Sequence, residues 1–293
     1  MYFQALLRGW RAFSSPSPKA KAAPITTVDI SSPIRRKPED IVVPRHAQRK
    51  SNGPDFQIMS DLHLEARNEY VTFDIPSEAP YLILAGDIGL LRHKGDFQAF
   101  LERMCCRYER VFLIPGNHEY YHTVRSEAML VADDIAEQLE ASGVVWMDRK
   151  RVDIDGGDII LLGYTLHTHV PEEARPLVLK RIQDFSRIGD WSIAQHNDEY
   201  RKDRDWLQQS LVDISASQPT SRVIIVTHFP PTFNHTSGHG PADDLSRAWY
   251  GSTTLDDLQG WVGTDQISHW VWGHTHWNNS FSCKTIQLSL IHI

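Results

Sequence analysis

Long hydrophobic runs are missing from this sequence of 293 residues. A membrane-spanning helix needs about 20 consecutive apolar residues, and no apolar run here approaches that length, so we expect no membrane span. Hydrophobic residues make up 41% of the chain and charged residues 23%, as is typical of globular proteins. The length suffices for one large domain or two small ones with a real core.

Cysteine is also scarce. The chain has the adjacent pair Cys105 and Cys106 and the distant Cys283. Three cysteines, an odd number, without the spacing of metal ligands predict neither a disulfide framework nor a zinc ribbon. They favour a reducing intracellular compartment.

Positive charge is scarce outside the N-terminal segment. Residues 1–54 hold ten lysines and arginines against three acids, a net charge of +7, whereas the whole chain carries −7. Residues 55–293 therefore carry −14, which disfavours electrostatically driven binding to long nucleic acids. An anionic substrate of this acidic body would need a local positive centre, and bound metal ions could supply one.

The first 54 residues are rich in Pro, Ser, Lys and Arg and show no apolar periodicity. We therefore predict a disordered basic segment over 1–54 and one folded domain over 55–293. Residues 1–28 have no acidic residue, which suits a mitochondrial transit peptide, with a plain disordered tail as the favoured alternative. The predicted localisation is intracellular: cytoplasmic for a plain tail, mitochondrial for a transit peptide.

Short apolar runs alternate with longer helical patterns from Asp55 onward, which predicts an α/β domain. Three stretches with apolar residues at three- and four-residue steps are the predicted helices, at 95–109, 124–141 and 197–214. Seven apolar runs bounded by turn residues are the predicted strands: 56–60, 81–86, 111–116, 143–147, 158–164, 222–228 and 269–274.

Polar residues suited to metal binding follow five of these apolar runs directly. Open α/β sheets build their sites at the carboxyl ends of strands, and five coincidences of this kind are hard to explain as core packing. The residues concerned are Asp61 and His63, Asp87, Asn117 and His118, His228, and His274 and His276.

Each of these motifs is weak when taken alone. The D-L-H motif at 61–63 is more often a loop carboxylate beside a surface histidine, and an Asp such as Asp87 after a glycine is commonly a turn residue. Their combination with G-N-H-E at 116–119 and G-H-T-H at 273–276 is strong. Imidazole and carboxylate ligands together suit Mn, Fe or Zn, and one carboxylate can bridge two ions about 3.5 to 4 Å apart.

In this order the motifs closely resemble the calcineurin-like metallophosphoesterase superfamily, whose pattern is D-x-H, G-D, G-N-H-[DE], H and G-H-x-H. The resemblance covers residues 56 to about 283 and includes all five motifs. It implies two stacked mixed β-sheets flanked by helices, a four-layer sandwich, and a site with two metal ions. The implied ligands are Asp61, His63, Asp87 and His276 for the first ion and Asp87, Asn117, His228 and His274 for the second, with Asp87 as the bridging carboxylate.

The reaction that this resemblance implies is hydrolysis of a phosphate monoester or diester. Two cations that share a bridging water lower its pKa, and the resulting hydroxide attacks phosphorus in line. His118, beside the implied ligand Asn117 but not itself a ligand, is the candidate general acid for the leaving oxygen. The expected partner is a phosphorylated small molecule or macromolecule; the sequence determines neither its identity nor the oligomeric state.

Two departures from the family pattern matter. The phosphoprotein phosphatase branch reads G-D-x-x-D-R-G at the second motif, whereas this chain reads GDIGLLR at 86–92 and lacks the Asp-Arg pair. That branch uses the pair to orient its general acid and to bind the phosphate group. Protein phosphatase activity is therefore disfavoured for this chain. The family also usually continues past G-H-x-H with more strands, so the short remainder here leaves open a sheet truncated at the C-terminus.

Two alternative functions stay open. Residues 118–122 match the zinc metalloprotease signature H-E-x-x-H, but that motif needs both histidines inside one helix, and the Pro-Gly-Asn at 115–117 places His118 on a turn. The other alternative is a non-catalytic scaffold of the same fold, which would not need all seven ligands.

The stretch 184–191 is a candidate lid over the site.

Overall fold

The computed structural model describes residues 5–6, 55–237 and 244–290. Apart from Ala5 and Leu6, the segment 1–54 that we predict to be disordered, with its transit-peptide interpretation, lies outside the described residues. The described residues form two β-sheets with helices, as the sequence predicts.

The first sheet is parallel across its four main strands. A two-residue strand pairs antiparallel at one edge, with Ala5 opposite Ile58. The strands are β1 (Ala5–Leu6), β2 (Phe56–Met59), β3 (Tyr81–Ala85), β4 (Arg110–Ile114) and β5 (Val144–Trp146), and they lie in the order β1-β2-β3-β4-β5.

The second sheet is mixed. Its strands are β6 (Lys150–Ile154), β7 (Ile159–Tyr164), β8 (Arg222–Thr227), β9 (Ile267–Trp272), β10 (Asn279–Cys283) and β11 (Ile286–Leu290), in the order β10-β11-β9-β8-β7-β6. Strands β7, β8, β9 and β11 are parallel, and β6 and β10 are antiparallel to their neighbours. From the sequence, a sheet truncated at the C-terminus was one possibility. In the structure, β10 and β11 extend the second sheet by two strands beyond β9.

Within the described residues, three helices match the three helical patterns in the sequence, and four short ones were not predicted. The helices are α1 (Lys94–Cys105), α2 (Arg125–Leu139), α3 (Arg175–Arg181), α4 (Asp184–Arg187), α5 (Ile193–Ser217), α6 (Asp244–Arg247) and α7 (Thr254–Asp257). The long α5 begins at a capping box, in which the side chains of Ser192 and Gln195 each accept the other's backbone N–H.

Alternation along the strands explains the layers. In β3, Leu82 and Leu84 pack in the cluster that contains the buried residues of α1 and α2, whereas Ile83 and Ala85 pack with residues of β7, β8 and β9. Successive side chains of a strand point to opposite faces of the sheet. One face of the first sheet therefore packs against helices, and the other packs against the second sheet. This inner core holds the two sheets together.

Within residues 55–237 and 244–290, no helix is both long enough and apolar enough to cross a bilayer.

Replacing Phe112 in the inner core should destabilise the fold strongly. Phe112 is fully buried between the sheets, and truncation of such a side chain to alanine typically costs about 3 to 5 kcal/mol. We expect Phe112→Ala to lower the free energy of unfolding by that amount in urea denaturation, and Leu130→Ala, at a position that is 70% exposed, to change it little. Equal effects of the two substitutions would contradict this account of the core.

Candidate metal centre

The predicted ligands come together at one edge of the sandwich, although they are divided between its two sheets. The loops after β2, β3 and β4 carry those of the first sheet, and the loops after β8 and β9 carry those of the second. The backbone N–H of Asp61 donates to the carbonyl of Gly86 at 2.9 Å. The backbone N–H of His274 donates to Asp61 Oδ1 at 3.0 Å, which ties the second sheet to the first.

One group of potential ligand atoms belongs to Asp61, His63 and His276. His63 Nε2 lies 3.1 Å from His276 Nε2, and His276 Nε2 lies 3.4 Å from Asp61 Oδ1. Ligand atoms about 2.0 to 2.2 Å from one ion lie about 3 to 4 Å from each other. The spacing of this group therefore suits a shared metal ion.

A second group belongs to Asp87, His228 and His274, whose ligand atoms all lie within 4.8 Å of one another. His228 Nε2 lies 3.3 Å from Asp87 Oδ1 and 3.0 Å from Asn117 Oδ1. Asn117 thus brings a neutral oxygen to the same group. These donors also fit a metal ion by type and by spacing.

Asp87 lies between the two groups. Its Oδ1 faces His228 at 3.3 Å, and its Oδ2 lies 4.0 Å from His63 Nε2. The carboxylate is buried, so its charge needs compensation from nearby positive groups. The structure thus places one carboxylate where it faces both sets of ligand atoms.

Five of the seven predicted ligands have backbone conformations that residues other than glycine rarely adopt. Their φ angles are positive, between 46° and 70°. Such conformations cost free energy and persist where the surrounding structure requires them, often at functional sites. The residues are Asp61, His63, Asp87, His274 and His276.

Two motif glycines allow the loops to approach each other closely. A Cβ on Gly86 would lie 2.3 Å from His228 Nδ1, and Gly86 itself has a φ of 86°. A Cβ on Gly116 would lie 2.3 Å from Asp87 Oδ1. Any side chain at these positions would displace a predicted ligand.

Hydrogen bonds behind the ligands fix their orientation. His228 Nδ1 lies 3.0 Å from the carbonyl oxygen of Ala85, so that an N–H there leaves Nε2 free as a ligand atom. The Asn117 Nδ2 donates to Asp184 Oδ1 at 2.9 Å and to the Tyr121 hydroxyl at 3.1 Å. These bonds identify which end of the amide is oxygen, and they direct Oδ1 toward His228.

Asp184 and Tyr121 were not predicted as site residues. Asp184 begins the stretch that we interpreted as a lid, but its side chain is buried beneath Asn117 instead. It lies 67 positions from Asn117 in the chain, and no local pattern signals such a distant contact.

Glu119 braces the site through its backbone contacts. Its carboxylate accepts from the backbone N–H groups of Asp87 at 3.0 Å, Ile88 at 2.8 Å and Gly116 at 2.8 Å. Burial and the neighbouring Asp87 charge raise the pKa of Glu119 to about 7. This carboxylate therefore joins the second and third motifs and does not face the ligand atoms.

The metalloprotease interpretation is not supported by this geometry. His118 begins a short 3₁₀ helix that ends at Tyr120, and His122 has a φ of 64°. The two histidines of H-E-x-x-H therefore do not share a helix, and the glutamate that would act as general base is occupied by backbone N–H groups.

His118 lies on the open side of the site. Its Nε2 is 4.0 Å from Asp87 Oδ2, and its Nδ1 is 3.0 Å from Glu65 Oε1. Burial would lower the pKa of His118, but the Asp87 charge and the bond to Glu65 outweigh burial and raise it. Glu65 was also missed; it follows His63 by two residues in the same loop, and its contact with His118 joins residues 53 positions apart.

The carboxylates create a strongly negative local field. Burial would lower the pKa of His228, but the Asp87 charge raises it to about 10. Burial has the same effect on His63, where the bond to Glu65 and the charge on Asp87 raise the pKa to about 9. His274, buried beside His228, has its pKa lowered to about 3. The carboxylates thus hold protons firmly on His228 and His63 but not on His274, and cations bound among these ligands would release those protons.

Removal of the Glu119 carboxylate should destabilise the chain. Glu119→Ala leaves three backbone N–H groups at the centre of the fold without their acceptor, and each unsatisfied buried donor costs about 1 to 3 kcal/mol. We expect the free energy of unfolding in urea to fall by about 3 kcal/mol or more. The exposed Glu137 on α2 provides the control, and a Glu119→Ala variant as stable as Glu137→Ala would refute the bracing role.

Known proteins share this sequence pattern and fold. The calcineurin-like phosphoesterase family model matches residues 56–278. An uncharacterised protein, L509, of Acanthamoeba polyphaga mimivirus is 26% identical over 245 residues, which cover 77% of this chain and 86% of the viral protein.

Among solved structures, the phosphopantetheinyl hydrolase PptH of Mycobacterium tuberculosis aligns with a TM-score of 0.62 and 17% identity, over 81% of this chain and 88% of that one. At that identity the likeness shows the fold alone. The family model, by contrast, matches well over half of the chain. The chain therefore belongs to the calcineurin-like phosphoesterase family.

Proposed function

We propose that this chain hydrolyses phosphate monoesters or diesters at a dinuclear metal centre. The observation that carries the proposal is the position of Asp87, whose two oxygens face different groups of ligand atoms at 3.3 Å and 4.0 Å. A carboxylate that serves two ions needs this placement.

The ligand groups support a division into two sites that share Asp87. The first would use Asp61, His63, Asp87 and His276, and the second Asp87, Asn117, His228 and His274. Metal ions bound there would provide positive charge beside the phosphoryl oxygens and a nucleophilic water at neutral pH. The imidazole and oxygen donors suit Mn, Fe or Zn.

The exposure of the site indicates where a substrate would enter. The side chains of His63, His118 and His276 are 19%, 25% and 45% exposed, whereas those of Asp87 and His228 are 3% and 0% exposed. A phosphate group would therefore approach from the side of the three histidines, with the bridging carboxylate beneath it.

His118 is the proposed general acid. Its Nδ1 faces Glu65 at 3.0 Å, which leaves Nε2 to carry a proton towards the reaction centre. As the phosphorus–oxygen bond breaks, that proton would pass to the leaving oxygen. Residues 86–92 lack the Asp-Arg pair of the phosphoprotein phosphatase branch, so we do not extend the proposal to phosphoproteins in particular.

Loss of the bridging carboxylate should abolish activity. We expect the wild type with Mn²⁺ to hydrolyse p-nitrophenyl phosphate or bis-p-nitrophenyl phosphate, and Asp87→Asn to lose at least ~100-fold in kcat/KM, because the metal ions contribute several kcal/mol to stabilising the transition state. Asp133→Asn, at an exposed position on α2, is the matched control and should retain full activity.

Two outcomes would reject the proposal. A wild type that binds metal but turns over neither substrate would favour the non-catalytic scaffold. Activity that survives in Asp87→Asn would show that the proposed bridge is not needed for the reaction.

A further inference from the structure

We propose that Glu65 is the positioning residue of this site, a single carboxylate that orients both the general acid His118 and the ligand His63. The proposal rests on the proposed function and assigns a role to a residue outside the family motifs. It also identifies where the chain obtains a carboxylate that its second motif does not supply.

Contacts of one oxygen support this role. Glu65 Oε1 lies 3.0 Å from His118 Nδ1 and 3.5 Å from His63 Nδ1. The side chain of Glu65 is 13% exposed, and those of His63 and His118 are 19% and 25% exposed, so these contacts are partly shielded from bulk water. A charge-assisted hydrogen bond that is partly protected from water holds an imidazole more firmly than the same bond does when it is exposed to water.

His118 is fixed on two sides by its neighbours. Glu65 accepts from Nδ1, and the ring of Tyr121 stacks on the imidazole with centroids 4.2 Å apart and planes inclined by 30°. Occupation of Nδ1 by Glu65 leaves Nε2, which lies 4.0 Å from Asp87 Oδ2, to face the site. To act as an acid, His118 must carry a proton on each ring nitrogen: the Nδ1 proton stays in the bond to Glu65, and the Nε2 proton passes to the leaving oxygen.

The same carboxylate also acts on His63. An acceptor near Nδ1 holds the ring so that Nε2 lies 3.1 Å from His276 Nε2, within the first group of ligand atoms. Partners behind a ligand histidine fix its tautomer and orientation in this way. Glu65 therefore joins the acid to the ligand group.

The second motif explains why this residue is needed. In the phosphoprotein phosphatase branch a pair that includes an aspartate orients the acid, but residues 88–92 read IGLLR here. Ile88 and Leu91 are buried in the cluster that contains the buried residues of α1 and α2. This stretch therefore packs against helices and brings no carboxylate to His118. In this chain the carboxylate in contact with His118 Nδ1 is that of Glu65, from the loop after β2.

A third metal ion is the rival occupant of this cluster. His63 Nδ1, His118 Nδ1 and Glu65 Oε1 lie close enough to ligate one ion, with the two nitrogens 3.2 Å apart. However, His63 would have to give up both ring protons to ligate one ion through Nδ1 and another through Nε2. Protons on the two Nδ1 atoms pair both imidazoles with Glu65 Oε1 without that loss, and only Glu65 Oε2 in this cluster is buried without a hydrogen-bond partner.

Leaving-group dependence tests the role directly. A general acid matters most when the leaving oxygen is strongly basic, so phenyl phosphate needs it more than p-nitrophenyl phosphate. With saturating Mn²⁺, we expect Glu65→Ala to reduce kcat/KM for phenyl phosphate ~10- to 100-fold more than for p-nitrophenyl phosphate. Glu65→Gln retains an acceptor oxygen and should recover part of this difference.

Controls separate positioning from damage to the fold. Glu69→Ala, in the same loop, should leave both rates unchanged, and thermal unfolding with metal analysis should show that each variant is folded and loaded. Equal losses on the two substrates in both Glu65 variants would overturn the positioning role. So would a third metal ion per wild-type chain that disappears in Glu65→Gln.

Failure of this proposal is distinguishable from failure of the proposed function. An active wild type whose leaving-group dependence is unchanged by Glu65→Ala would reject only the role of Glu65. A metal-loaded wild type that is inactive on both monoesters and also on bis-p-nitrophenyl phosphate would reject the proposed function, and with it the positioning role.

Discussion

The packing of the two sheets against each other is the constraint on which the rest of the structure depends. Asp61, Asp87 and Asn117 follow strands of the first sheet, whereas His228 and His274 follow strands of the second. Neither sheet holds a complete ligand group. The inner core aligns the carboxyl ends of both sets of parallel strands at one edge, and the ligand groups exist because those ends meet there.

Electrostatics explain why this edge suits metal ions. Asp61 and Asp87 are 3% and 2% exposed, and buried carboxylates without compensating charge are costly. Neighbouring imidazoles hold the pKa of Asp87 well below its ordinary value despite burial, which would raise it. Bound cations would replace that compensation, so the strained loops and buried charges that weaken the fold here are reasonable in a metal centre.

The sequence predicted the parts of this molecule that depend on local pattern. The continuous apolar runs and the motifs that end them located seven strands and the residues that now lie together, because periodicity and strand ends are local. Strands β6, β10 and β11 were missed because polar residues such as Asp153, Ser282 and Ser289 interrupt them, so that none carries a continuous apolar run. Asp184 was missed because its contact with Asn117 depends on the tertiary fold. Glu65 was missed for the same reason, since its contact with His118 joins residues 53 positions apart in the chain.

The proposed position of Asp87 between two metal ions is tested most directly by anomalous diffraction from crystals grown with Mn²⁺, because it locates each ion independently of activity. We predict two anomalous peaks on either side of the Asp87 carboxylate, about 3.5 to 4 Å apart. A single peak in fully loaded crystals, or peaks remote from Asp87, would contradict it.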